Sequence, residues 1–113
     1  MAERFLMADP TYPIFMFDGL DLVVVSSLEK LQTELELVDA RSGIFEIFDS
    51  GGRRIHLSTT RWKITAELSP GEPIANQEFE TRLRAFLRAV DDPAADNPEC
   101  QLRCLMEASR KHA

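Results

Sequence analysis

The stretch that most constrains this chain runs from Phe15 to Val25 and reads FMFDGLDLVVV. Two runs of aromatic and β-branched residues flank an Asp-Gly pair, which is the short-range signature of a β-hairpin. The pattern predicts strands over Tyr12 to Phe17 and Leu20 to Val25, joined by a type I′ turn at Asp18-Gly19. That register sets Phe17 against Leu20 and Phe15 against Leu22 on one face. Ile14, Met16, Val23 and Val25 fall on the other. Both faces are apolar, so the hairpin is expected to be central in a sheet or covered on both sides.

The elements that could cover it follow in order. Ser26 with Glu29 makes a capping box, and Leu28, Leu31 and Leu35 recur at helical spacing, predicting a helix from about Ser27 to Glu36. Gly43 to Asp49 and Arg53 to Thr59 flank Ser50-Gly51-Gly52 as a second hairpin. Trp62 to Leu68 alternates, with Trp62, Ile64, Ala66 and Leu68 directed inward, and is expected to extend the same sheet. Asn76 is placed to cap an amphipathic helix whose stripe is Phe79, Leu83, Phe86, Leu87 and Val90. DDPAADNP breaks that helix, and Pro98 suits the first turn of a last one ending near Ser109. The order β-β-α-β-β-β-α-α predicts an α+β fold, an antiparallel sheet of about five strands with helices packed against it. A chain of 113 residues has room for one core, so residues 1–113 are read as a single domain.

Charge separates the two halves. Up to Ser50 there are ten acids against three bases, whereas from Gly51 onward nine acids meet ten bases. The net charge of −6 therefore resides in the first half. Such a surface repels a phosphate backbone, which argues against direct nucleic-acid binding, and attracts a basic protein. It also serves solubility alone. The apolar run after Glu3 and Arg4 is too short for a signal peptide, and no stretch approaches the ~18 apolar residues of a membrane span. A cytoplasmic protein without a membrane partner is expected.

Groups that could carry chemistry are few. A strand ending at Asp18 resembles the nucleophile loop of haloacid-dehalogenase-type phosphohydrolases. That loop spaces its two carboxylates two residues apart, while Asp18 and Asp21 are three apart and a second strand follows where a helix is needed. The Asp-rich run Asp91 to Asp96 lacks the central Gly and distal Glu of a calcium loop. His56 could act as an acid–base only with a partner carboxylate, which Glu46 or Glu67 could supply across the ladder; a solvated cross-strand pair accounts for the same arrangement. Trp62, the single tryptophan, sits in the inward alternation and is read as core. Cys100 and Cys104 are read as two thiols on one helical face, because a disulfide within a regular helix would distort it, and with His56 and His112 they make no zinc spacing. Neither common Gly-rich phosphate loop occurs. No metal, cofactor or catalytic set is expected, and the chain reads as a binder.

From Tyr12 to Leu57 the sequence also resembles small bacterial proteins that open with a strand pair, carry an S-L-E-x-L helix and continue with a V-D-x-R-x-G-I-[FY]-E-[IF]-[FY]-D hairpin. Here these are SLEKL at Ser27 to Leu31 and VDARSGIFEIFD at Val38 to Asp49. Some proteins of this kind stand beside polymorphic-toxin genes as immunity proteins. The resemblance implies a stoichiometric inhibitor that occludes a toxin's active site or substrate path, with no catalysis of its own. The acids expected to face a basic toxin are Glu34, Glu36 and Asp39 at the exit of the first helix, with Glu46 and Asp49 on the next hairpin. The alternative from another class is a small regulatory or structural interaction module, which could form a homodimer through its apolar hairpin.

Overall fold

The computed structural model describes residues 10–34, 45–59, 64–68 and 75–113. The opening stretch is a hairpin of β1 (Ile14–Asp18) and β2 (Asp21–Val25). Its register is one step beyond the expected one. Phe17 pairs with Leu22, Phe15 with Val24, and Asp18 with Asp21. The two-residue loop is therefore Gly19-Leu20, not Asp18-Gly19. Gly19 alone takes a positive φ, +62°, as a type II′ turn asks of its first central residue. Leu20 does not face Phe17; it lies in the turn and is 60% exposed. The two faces survive the slip, because sliding the turn by one residue moves every cross-strand partner by two and so preserves its side.

β3 (Glu46–Phe48) pairs with the other edge of β1, giving a three-stranded antiparallel sheet in the order β2-β1-β3. From Ile14 to Phe17 the central strand is buried on both sides. Phe15, Phe17, Leu22 and Phe48 cover one face and meet α2 (Asn76–Ala89) through Phe79, Leu83, Phe86 and Leu87. Phe79 is the hub of this layer. Its ring stacks on Phe48 at 4.9 Å and meets Phe15 and Phe17 edge-on at 5.3 and 6.2 Å. A 3₁₀ turn (Pro93–Asp96) and α3 (Leu102–Arg110) complete the layer with Ala95, Cys100 and Leu105. The opposite face, Ile14, Met16, Val25 and Ile47, packs on Leu31 of α1 (Leu28–Glu34) and on β4 (Ile55–Thr59) and β5 (Ile64–Leu68) through Ile55, Ile64 and Leu68. Among the described residues the architecture is three layers, helices on one side and a helix with a two-stranded ribbon on the other.

Several local expectations change. The five strands do not make one sheet. Among the described residues β4 and β5 pair with each other in a separate ribbon, tied to the first sheet by the single bridge Phe48–Arg54. The pairing stops there because the chain between Phe48 and Arg54 winds around the Asp49 carboxylate and passes through Gly52 at φ +79°. Ser27, not Ser26, caps α1: its Oγ accepts from Lys30 N–H at 3.2 Å. Asn76 is the first residue of α2 and Ala75 occupies the cap without a side-chain bond, while Val90 at the far end is 37% exposed. Pro98 precedes α3 instead of entering it. Leu35, Glu36, Asp39 and Trp62 lie outside the described residues.

The cysteines form a disulfide, Cys100–Cys104, with their Cα atoms 5.1 Å apart. The geometric objection to a bridge fails because α3 begins at Leu102, so Cys100 lies ahead of the helix with the extended Gln101 between them. Its Cα is free of helical geometry and falls within bridging range of Cys104 on the first turn.

Candidate functional site

The acids expected to converge at one edge separate into different roles. Asp49 is fully buried. Its Oδ1 accepts from the N–H groups of Gly51 and Arg53, both at 3.0 Å. Its Oδ2 accepts from Thr11 N–H at 3.0 Å and from the Arg53 guanidinium at 3.0 and 2.7 Å. Around this carboxylate Asp49 N–H donates to Arg53 C=O, Ser50 N–H to Thr11 C=O, and the Ser50 hydroxyl to Pro13 C=O. Gly52 C=O accepts from Ala75 N–H, the cap of α2. Asp49 is thus a folding anchor that joins the approach to β1, the β3–β4 connection and the start of α2. Its charge is spent inside the molecule and does not belong to a docking surface.

Glu46 pairs with Phe17 across the sheet, so its side chain emerges toward α2, where it forms an ion pair with Arg82. Arg54 reaches the same helix through Glu78 and lies over the Phe48 ring at 5.3 Å. Glu34 is the last residue of α1; its side chain, with Glu36 and Asp39, lies outside what the structure describes. The described members of the expected set are therefore engaged within the fold.

A different acidic surface stands at the hairpin turn. Asp18 and Asp21 are both exposed, face each other in register, and flank the exposed Leu20. Like charges set directly opposite oppose pairing, and neither has an ion-pair partner among the described residues. The sequence carries the signal in DGLD, but the register error turned Leu20 inward and hid it.

His56 is exposed on β4 and sits opposite Glu67 in the β4–β5 register. Neither described cleft includes it. One, of about 220 Å³, lies between the start of β1 and α3, floored by Pro13, Phe15 and Met106 and flanked by Arg103, Glu107 and Arg110. The other, of about 450 Å³, is polar and lies between the starts of α2 and α3, beside Arg84. Arg84 is occupied there. Its guanidinium donates to the carbonyls of Ala94, Ala95, Asn97 and Cys100 at 2.7–3.2 Å. Next to it, Asp92 caps the 3₁₀ turn by accepting from Ala94 N–H, and its other oxygen lies 2.9 Å from His112 Nε2. The Ala94 N–H bond, then the His112 hydrogen bond, hold the Asp92 carboxyl below its ordinary value of 3.8. No group of three or more potential metal ligands occurs among the described residues.

The class these features define is an acidic three-layer α+β domain with an apolar, carboxylate-flanked hairpin tip. Comparison with protein families, curated proteins and solved structures finds no match for the chain.

Proposed function

We propose that this chain is an immunity protein that binds a cognate bacterial toxin domain and occludes its active site or substrate path. The observation that carries the reading is the β1–β2 tip, where Leu20 stands exposed between the facing carboxylates of Asp18 and Asp21, which have no ion-pair partner among the described residues. A leucine with an acidic rim suits a pocket whose mouth is basic, the kind of cleft that a toxin acting on nucleic acids or nucleotides presents. The charge excess of the first half steers encounter with a basic partner more than it adds affinity. The reading includes a cytoplasmic site of action. No helix among the described residues is long and apolar enough to cross a membrane.

The test is binding kinetics against the product of an adjacent toxin-like gene. Leu20→Ala should leave the fold intact, since the side chain is already exposed, and should speed dissociation at least tenfold if Leu20 fills a pocket, equivalent to about 1.4 kcal/mol. Asp18→Asn with Asp21→Asn should slow association, and more so at low salt. Association with only a second copy of this chain, detected by sedimentation, would replace the proposal with the interaction-module reading. Wild-type kinetics in both variants would move the docking surface away from the tip.

A further inference from the structure

We propose that Cys100 and Cys104 form a thiol–disulfide exchange site, through which a small dithiol releases the first turn of α3. The inference stands independently of the toxin-binding reading. The bridge spans only four residues of chain. Stabilisation through chain entropy grows with loop length, so a loop this short contributes less to the fold as a whole than a long one would. Its effect is local, and the surroundings show what it holds.

The two sulfurs differ in access. Cys100 is 2% exposed and packs in the core with Phe86, Ala95 and Leu105, whereas Cys104 is exposed on α3. An external thiolate therefore reaches the bridge at the Cys104 sulfur. Its attack forms a new bond to Cys104 Sγ, breaks the bond to Cys100 Sγ, and expels Cys100 as a thiolate that takes up a proton. The second thiol of the dithiol then attacks its own sulfur in the mixed disulfide and frees Cys104. The dithiol leaves as a cyclic disulfide, and two electrons and two protons have passed to the protein. Reoxidation reverses the sequence.

What moves follows from the other bonds. The Cys100 backbone is held without the bridge: its N–H donates to Asn97 C=O at 3.1 Å, and its C=O accepts from Arg84 at 2.7 Å. The first turn of α3 has less support. Gln101 occupies the cap position and makes no side-chain cap bond, so the leading N–H groups of the helix lack the usual acceptor. Cys104 ties this turn to the anchored loop. The far end of the helix is held separately by buried Ser109 and by His112 on Asp92. Reduction thus loosens one turn and spares the rest. Because Arg103 and Met106 line the cleft against Pro13 and Phe15, the redox state also reshapes that cleft.

The experiment compares the full chain, purified without reductant, before and after dithiothreitol. Iodoacetamide should add to no cysteine before reduction and, in the folded reduced chain, to the exposed Cys104 ahead of the buried Cys100. Amide exchange at residues 102–106 should accelerate by about tenfold on reduction while residues 79–89 of α2 hold their rates. Single variants test the order of attack: Cys100→Ser, which leaves the exposed thiol, should form a mixed disulfide with oxidised glutathione at least about tenfold faster than Cys104→Ser. Two free thiols in the air-exposed protein, equal reactivity of the two variants, or loss of protection throughout α2 would each overturn the proposal.

Discussion

Replacing Asp49 by Asn tests the anchor at the centre of the fold. The exchange keeps one oxygen to accept from Gly51 and Arg53 N–H, and puts an NH₂ where Oδ2 accepts from Thr11 N–H and the Arg53 guanidinium. Thr11 N–H then faces a donor, and a part-buried donor deprived of its acceptor costs about 1–3 kcal/mol. Breaking a fully buried ion pair costs roughly 3–5 kcal/mol, but the Arg53 side chain is 38% exposed and can turn to water, so its share falls to about 1 kcal/mol. The expected loss is about 2–4 kcal/mol, a large part of the roughly 5–15 kcal/mol that holds a domain together. At about 4 °C per kcal/mol for a chain of this size, the melting temperature should fall by roughly 8–16 °C. Urea unfolding followed by far-UV circular dichroism measures it, with Glu46→Gln as the control. Glu46 and Arg82 are each more than a third exposed, so that control should lose less than ~1 kcal/mol. An Asp49→Asn loss no larger than the control's would refute the assignment of this carboxylate to the interior.

Gly19→Val should destabilise by about 1–2 kcal/mol or more in the same assay, through backbone conformation alone. Nothing lies within 4 Å of the added Cβ, so a destabilisation rescued by Gly19→Asn, which tolerates positive φ, confirms the cause. Phe79→Ala, which removes the ring meeting three other phenylalanines, should cost about 3–5 kcal/mol; a loss below ~1 kcal/mol would mean that α2 does not pack on the sheet through this residue. Asp92 supplies a pH signature. Its carboxyl is depressed in the folded chain, so its contribution is fully present above the unfolded value near 3.8 and is lost as pH falls through the lower folded value. Melting curves between about pH 6 and pH 2 should therefore show the gap between wild type and Asp92→Asn closing in the acid range, and a constant gap would exclude the ionised carboxylate as its source.

How much of this fold could be read beforehand depends on which signals are periodic. The two apolar faces of the hairpin and the stripe Phe79, Leu83, Phe86 and Leu87 were legible, because alternation and helical spacing report burial directly. The turn was not fixed by those patterns. A type I′ turn at Asp18-Gly19 and a type II′ turn at Gly19-Leu20 both satisfy the residues, and only the second brings Asp18 into the ladder. The split into two sheets was illegible because its cause, the Asp49 carboxylate capturing its own loop, has no period. Helix starts misled in the same way. Ser26 and Ser27 are equally good caps on paper, and the two cysteines look helical until α3 begins at Leu102. The acidic site suffered most. Counting charges located the acidic half but could not tell Asp49, folded inward, from Asp18 and Asp21, which remain outside.

Arg84 has a consequence for how this chain can vary. The connection from Ala94 to Cys100 takes its course from a guanidinium that holds main-chain carbonyls, and every amino acid brings the same carbonyl. Part of the path is therefore written in one side chain on α2, beside the segment's own anchors at Ala95, Asn97 and Cys100. Asp96 and Glu99, both exposed, can drift in charge and size while the trace persists. Position 84 has no such latitude: lysine offers a single compact ammonium in place of a forked plane and cannot span the same set of oxygens. Related chains should accordingly differ at exposed positions such as Asp96 and Glu99 and agree at the arginine, an inversion of the habit of seeking a loop's identity within the loop.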